Sequence, residues 1–346
     1  MMKKIKLITF CLIILLALPA CQGNRNRMPN LHSSIGMSNE IVVVMNLAEW
    51  DKPMGERLFK ELTHPIPALP QSEPSMRVSK SSPEQFTSFM RYVRNILIVK
   101  IDAHLYTKVS KSIEKNKWAN QQEVITLKAP SAELIEQYLS LHELEIVNHF
   151  NEIELQRRTK LYDKIHSTEV KNKLNQKFNI QLLVPQDMKK FVEKKDFFWM
   201  SNQANRGESD ILVYSIPYTS QDQFKEEYLI TLRDSVVHLI PGSFPQSHMT
   251  TEKRFMLQSK VIKVNKAYAV EMRGLWKMNG DKMGGPFVCR FVLDEPNQRI
   301  LAVEGFIYAP ESRKANYIKR IEASIRTLRL QGKGTKGTNL STKKAG

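Results

Sequence analysis

The sequence predicts an α+β protein with antiparallel sheets and packed helices. Three observations lead there. The 54 residues between Pro130 and Pro185 contain neither Gly nor Pro, as a long helical stretch requires. Elsewhere, short apolar or alternating runs follow one another without strict strand–helix alternation, which favours α+β over α/β. After Met249, four such runs come in succession, the pattern of a β-meander.

In chain order, Ile41–Met45 is a continuous apolar run suited to a buried strand. A helix is expected from Trp50 to Leu62, with Pro53 in its first turn and Met54, Leu58, Phe59 and Leu62 on one face. The prolines of His64–Pro70 exclude regular structure and predict an extended loop. Asn95–Ile101 reads as a strand and Gln122–Lys128 as its hairpin partner. Ser131 caps an amphipathic helix that begins with Leu134, Tyr138, Leu139 and Leu141 and runs to about His166. Ser167 caps a continuation to Lys177.

The next stretch predicts a strand at Asn179–Pro185, a short helix at Asp187–Glu193, and strands at Phe197–Met200 and Ile211–Tyr218. A helix capped by Ser220 then reaches about Leu239. Strand–helix–strand–strand–helix thus occurs over about 40–165 and again over about 178–240, which predicts a duplicated β-α-β-β-α unit. The meander strands are Phe255–Val264, Ala267–Met278, Phe287–Leu293 and Ile300–Tyr308. A C-terminal helix, Lys314–Leu330, turns Tyr317, Ile318, Ile321, Ile325 and Leu328 inward.

The domain organisation follows from these elements and from the ends. A basic start, the apolar run Leu7–Leu18 and then Pro19-Ala20-Cys21 make residues 1–20 a secretory signal, too short in its apolar part for a comfortable membrane span. Residues 21–38 are expected as a modified Cys and a tether. Residues 39–177 form an N-terminal half ending in the long helix, 178–330 a C-terminal half with the meander, and 331–346 a disordered basic tail. The net charge of +17 invites a nucleic-acid reading, but seven of those charges are Lys3, Lys4, Lys6, Lys333, Lys336, Lys343 and Lys344, in the signal and the tail. No DNA- or RNA-binding motif appears, and no nucleic-acid partner is expected.

Leu18-Pro19-Ala20-Cys21 resembles the bacterial lipobox, which implies lipidation, palmitate included, at Cys21 and a membrane anchor without a span. Residues 22–27, Gln-Gly-Asn-Arg-Asn-Arg, lack the acidic signal that surface-exposed Bacteroidetes lipoproteins carry there, so a periplasm-facing anchor on the outer membrane is expected. Met272–Val288, with its Arg273-Gly-Leu-Trp276 and Met283-Gly-Gly-Pro-Phe287 motifs, is the most distinctive segment. Together with Leu69–Pro74, Ile216–Tyr218 and Glu304–Pro310, it resembles a family of uncharacterised Bacteroidetes lipoproteins over about 35–330. That resemblance implies an envelope lipoprotein of α+β fold and no established activity.

In that segment Asn279-Gly280-Asp281 fits a hairpin turn. Arg273, Trp276, Asp281, Gly284 and Gly285 make a candidate binding groove, with Arg273 suited to a carboxylate or phosphate; the alternative is a bulge with the Trp packed on the sheet. On the long helix, His142, Glu145, His149 and Glu152 share about a quarter of the circumference, a weak metal pattern without His-Glu-x-x-His. Cys289 shares a strand face with Phe287, Phe291 and Leu293 and reads as buried, not nucleophilic. Ser112-x-x-Lys115 lacks the companion Lys-Thr-Gly of penicillin-recognising enzymes. His238 and His248 have Asp234 and Glu252 nearby in sequence. Gly-x-Ser-x-Gly and Walker-type loops are missing, and no cofactor is expected. The sequence therefore predicts a non-enzymatic binding or assembly factor, with an envelope protein, polysaccharide or lipid as partner. A periplasmic hydrolase or metal-dependent enzyme is the alternative.

Overall fold

A computed structural model describes residues 31–204 and 206–331. The expected signal, residues 1–20, the lipidation site expected at Cys21, and residues 332–346 of the expected tail lie outside the described residues. Residues 31–38, assigned above to the tether, instead bond to the folded body. The Ser34 N–H donates to the Asn120 carbonyl at 3.0 Å and the Ile35 N–H to the Tyr92 carbonyl at 2.9 Å.

The α+β class holds, and its two halves differ in kind. The first contains β1 (Glu40–Val44), α1 (Pro53–Leu62), β2 (Arg77–Ser81), β3 (Asn95–Ile101), β4 (Ser110–Lys115), β5 (Glu123–Ala129), α2 (Ala132–Leu141) and α3 (Glu145–Lys164). Its sheet runs β2-β1-β3-β5-β4, parallel except for β4. The near-continuous apolar runs of β1, β3 and β5 suit a parallel sheet. The expected hairpin between Asn95–Ile101 and Gln122–Lys128 is therefore replaced by a parallel pair, and β4 is the hairpin partner of β5. That edge strand, Ser-Lys-Ser-Ile-Glu-Lys, has only one apolar residue to announce it.

The three helices cover one face of this sheet. Leu58, Leu62, Ile135, Leu139, Ile146 and Phe150 pack with Ile41, Val43, Leu97 and Ile125. The opposite face holds a small cluster, Val42, Val44, Ile96 and Val124, under Phe86, Val93 and Trp118. The single helix expected from Ser131 to His166 is two helices. The chain turns at His142–Leu144, with Leu144 in the left-handed region at φ 61°. Ile135 and Leu139 are buried, whereas Leu134 and Leu141 are exposed.

The second half comprises α4 (Thr168–Phe178), β6 (Ile180–Gln181), β7 (Lys190–Lys194), β8 (Phe197–Ser201), β9 (Glu208–Pro217), α5 (Glu226–Val237) and β10 (His248–Thr251). It continues with β11 (Gln258–Val264), β12 (Ala267–Asn279), β13 (Gly284–Asp294), β14 (Arg299–Tyr308), α6 (Ala315–Ile325) and β15 (Arg329–Leu330). Eight strands form one antiparallel sheet in the order β10-β12-β13-β14-β9-β8-β7, with β11 also on β12. One face packs on α4 and α6 through Val170, Leu174, Phe178, Ile318, Ile321 and Ile325. The other packs on α5 through Leu229 and Val237.

A mostly parallel first sheet and an antiparallel second one exclude the duplicated unit. The short helix expected at Asp187–Glu193 is largely β7, whose Phe191 stacks on Phe198 at 5.6 Å. Of the strand expected at Asn179–Pro185, only Ile180–Gln181 pairs, with β15. The helix at Thr168–Phe178, assigned above to the first half, packs in the core of the second. Its N-cap behaves as expected: the Ser167 side chain accepts the Val170 N–H.

The halves meet along α3 and α6. The Thr159 hydroxyl donates to the Ala323 carbonyl at 3.3 Å, and the Tyr162 hydroxyl to the Arg320 carbonyl at 3.2 Å. The proline-rich loop contributes a cap: the Glu73 carboxylate accepts the Lys314 N–H at 2.5 Å and the Ala315 N–H at 3.1 Å. A carboxylate there satisfies orphan donors and faces the positive end of the α6 dipole. Among the described residues, no helix is long and apolar enough to cross a membrane.

Candidate functional site: a cationic cleft between the halves

Strand parity decides where the sequence-predicted groove goes. Side chains of β12 alternate between its faces, so Arg273 and Trp276, three residues apart, point to opposite sides. Trp276 is buried in the core beside α5, where its Nε1–H donates to the Ile307 carbonyl at 3.2 Å. Gly284 and Gly285 open β13 and pair with Lys277 and Trp276. A Cβ on Gly285 would stand 2.0 Å from the Ile307 carbonyl oxygen and 3.1 Å from Trp276 Nε1. This glycine thus makes room for the buried indole and its hydrogen bond. Asp281 sits in the hairpin turn after Gly280 (φ 80°), accepting the Ser243 N–H at 2.8 Å and the Lys282 N–H at 2.6 Å. The structure does not bring these five residues together.

Arg273 faces the other half of the molecule, across a cleft of about 820 Å³. Its walls come from α3, from β11–β13 and from α6, with Ile66 and Pro67 of the proline-rich loop at one end. Seven cations line it (Lys160, Lys260, Lys263, Arg273, Arg290, Lys319 and Arg326) against three carboxylates, Glu152, Glu271 and Glu322, an excess of four positive charges. All three carboxylates are engaged. Glu271 accepts from Arg273 at 3.0 and 3.2 Å and from Arg290 at 2.8 and 2.9 Å, with Lys260 Nζ at 3.3 Å. Glu322 pairs with Arg273, and Glu152 takes both ends of the Arg326 fork at 2.6 and 2.7 Å.

Burial alone would raise the Glu271 carboxyl, but Arg273, Arg290 and Lys260 outweigh it and hold it at about 2. Burial works against the Arg273 charge, and Glu322 and Glu271 more than restore it. These carboxylates fix the guanidinium groups in place, and among the described residues the lining still carries four more cations than carboxylates. Such a surface suits a ligand with two or more phosphate or carboxylate groups.

Lys319 sits at the back of the cleft, 6 % exposed. Its ammonium donates to Asn39 Oδ1 at 2.8 Å, Asn151 Oδ1 at 2.9 Å and the Ser75 carbonyl at 3.0 Å, tying α6 to the first half. All three acceptors are neutral. Burial therefore dominates and lowers the ammonium to about 8, with Glu322 and Glu154 opposing. Between that value and the ordinary 10.5, the unfolded chain binds more protons than the folded one, so this group makes stability rise with pH. Urea titrations at pH 7.5 and 10 should show a smaller gain for Lys319→Met than for the parent protein.

The weak metal pattern disperses. The His142 Nδ1 contacts the Tyr138 carbonyl at 2.9 Å beyond the end of α2, and Glu145 pairs with Lys111 and accepts from the Tyr138 hydroxyl. His149 meets Glu123 at 2.8 Å, and Glu152 is held by Arg326. Among the described residues, no three His, Cys, Asp or Glu side chains are placed to hold a metal ion. The His238 and His248 rings lie 3.8 Å apart, tilted by 43°, but Asp234 is taken by Thr251 and Lys253, and Glu252 by Arg254 and Lys277. Ser112 lies on the exposed edge strand β4. Cys289 is wholly buried, and burial pushes its thiol well above the usual range.

Two family models match the chain. Both describe domains of unknown function: DUF8532 over residues 34–163 and DUF4837 over 167–327. Their junction falls between α3 and α4, where the structure changes from one half to the other. No curated protein matches. Among solved structures, the Saccharomyces cerevisiae Ran-binding protein Mog1p is 9 % identical, over 44 % of this chain and 90 % of its own, with a TM-score of 0.27. A point mutant of Mog1 is 10 % identical over 44 % and 92 %, at 0.28. A Bacteroides thetaiotaomicron protein is 13 % identical over 45 % and 46 %, at 0.20. Likenesses of this size carry no argument about function.

Proposed function

We propose that this chain is a non-enzymatic binding protein of the bacterial cell envelope, anchored through lipid on Cys21 and facing the periplasm. Its interdomain cleft takes an anionic envelope component, the phosphorylated or carboxylated part of a saccharide or lipid. The observation that carries this reading is the lining of the cleft: seven cations against three carboxylates, each carboxylate already held by protein donors. The size is adequate too, since pockets for organic ligands run to about 300–1,000 Å³.

Photo-crosslinking in cells tests it. Gln258 is exposed and lines the cleft, so a photoreactive residue at that position samples the bound molecule. The expected product is a phosphate- or carboxylate-rich adduct on a chain whose N-terminal Cys21 is acylated. The same group at Leu105, in the first half and 72 % exposed, should capture none of it. Equal labelling from both positions would remove the cleft as the site, and an unacylated Cys21 would remove the anchor.

A further inference from the structure

Helices cover one face of the first sheet; on the other, a loop and a few side chains overlie a small apolar cluster. Parallel sheets in globular proteins are ordinarily covered on both faces. The residues that lie over this face are aromatic and cationic. Phe86 and Trp118 meet edge to face at 5.8 Å, with Arg91 5.9 Å from both rings and Lys117 4.8 Å from the indole. Phe89 projects from the same loop, 71 % exposed. Glu114 pairs with Lys117 at 2.6 Å, so bare charge attraction is modest here. The distinguishing feature is the mixture of rings with flexible cationic stems, which suits the headgroup layer of a bilayer, where indoles and arginines find both apolar and polar partners.

The path of the chain places this face near the anchor. Leu31 and His32 are bound through their carbonyls to Asn120, two residues from Trp118. His32 also meets Tyr92 edge to face at 6.2 Å. From Cys21 to Leu31 there are ten residues, which extend at most about 35 Å. Lipid on Cys21 therefore confines this face, where the described chain begins, to within that reach of the bilayer.

We infer that the face carrying Phe86, Phe89, Arg91, Lys117 and Trp118 rests in the headgroup layer of the membrane that holds the anchor. The inference builds on the lipidation part of the proposed function and is independent of what the cleft binds. In this orientation the bilayer is the missing cover of the first sheet, and the tether is a short link to a docked domain.

The acylated protein, reconstituted in phosphatidylethanolamine–phosphatidylglycerol vesicles, tests the contact. Cys289 is wholly buried, so Phe89→Cys supplies an accessible thiol for an environment-sensitive fluorophore. Met256→Cys, 90 % exposed in the second half, is the reference position. The expected result is a blue-shifted emission at position 89 and quenching by spin-labelled lipid at least threefold stronger than at position 256. Phe89→Ser combined with Lys117→Glu should leave the fold intact by circular dichroism. Carrying a label at Ser112→Cys, which is exposed and whose register partner Thr126 points to the same side of the sheet as Val124, that variant should lose most of the quenching seen with the label in the parent background. Equal quenching at 89 and 256, or no change in the double variant, would overturn the contact while leaving the anchor in place. A protein recovered without an acyl group on Cys21 would overturn both.

Discussion

Replacing Arg233 by Ala should destabilise the second half by about 3–5 kcal/mol, the cost of breaking a buried ion pair from one side. Arg233 and Glu304 are each 0 % exposed, between α5 and the sheet. The pair is bidentate, at 2.9 Å from Nε and 2.6 Å from Nη2. Nη1 donates to Thr251 Oγ1 at 2.8 Å, and the guanidinium lies 3.7 Å over the Phe287 ring. Burial works against the Arg233 charge, and the Glu304 carboxylate opposite more than compensates. The Ala variant removes the partner and leaves Glu304 in an apolar core, where its carboxyl must take up a proton or stay uncompensated. For a half of this size that loss corresponds to a melting shift of roughly 10 °C. Pairing Arg233→Met with Glu304→Leu should recover most of it, because both polar groups then leave together. Thermal and urea unfolding of the two variants measure the effect. A single substitution that costs less than about 1 kcal/mol would show that the pair is not buried as described.

The second large effect concerns the cleft and has a sign in each direction. Arg273 is held between Glu271 and Glu322, so its charge is fixed in position and partly offset. Arg273→Gln removes a cation and leaves Glu322 facing the ligand space without its ion partner, while Arg290 and Lys260 still hold Glu271. A bound polyanion then loses a charge-assisted contact worth about 1.5–3 kcal/mol and meets new repulsion. Affinity should fall at least tenfold. Glu322→Gln does the reverse: it frees the guanidinium from one of its partners, and affinity should rise by about threefold. A merely structural role for this network would weaken binding in both variants, since each breaks the same ion pair.

Much of the architecture was legible because it follows from local pattern. The apolar runs of β1 and β3, the meander strands β12–β14 and the inward stripe Ile318, Ile321, Ile325 of α6 all appear where the sequence pattern puts them. Cys289, on a strand face with Phe287 and Phe291, was legible for the same reason. The failures have physical causes too. β4 is polar because it is an exposed edge, so apolar patterning passes over it. The break at Leu144 has no Gly or Pro to mark it, because a leucine occupies the left-handed position there. Strand direction in the first half depends on long-range pairing of β1, β3 and β5, which local runs do not encode.

The site was legible in one residue. Arg273 stands in the cleft, but grouping it with Trp276 overlooked a rule available in the sequence: positions three apart on a strand face opposite ways. Applied to Lys260, Glu271, Arg273 and Arg290, the same parity, with the register of β11–β13, would have put four charges on one face. Glu152, Lys160, Lys319 and Arg326 arrive from helices of both halves. Only the packing of α3 against α6 brings them there.

Calorimetric titration of the purified protein with tripolyphosphate, a compact polyanion, tests the central claim most directly. The cleft reading expects saturable binding that weakens at least tenfold in Arg273→Gln, tightens in Glu322→Gln, and diminishes with added salt. No binding by the parent protein, or loss of affinity in both variants alike, would contradict it.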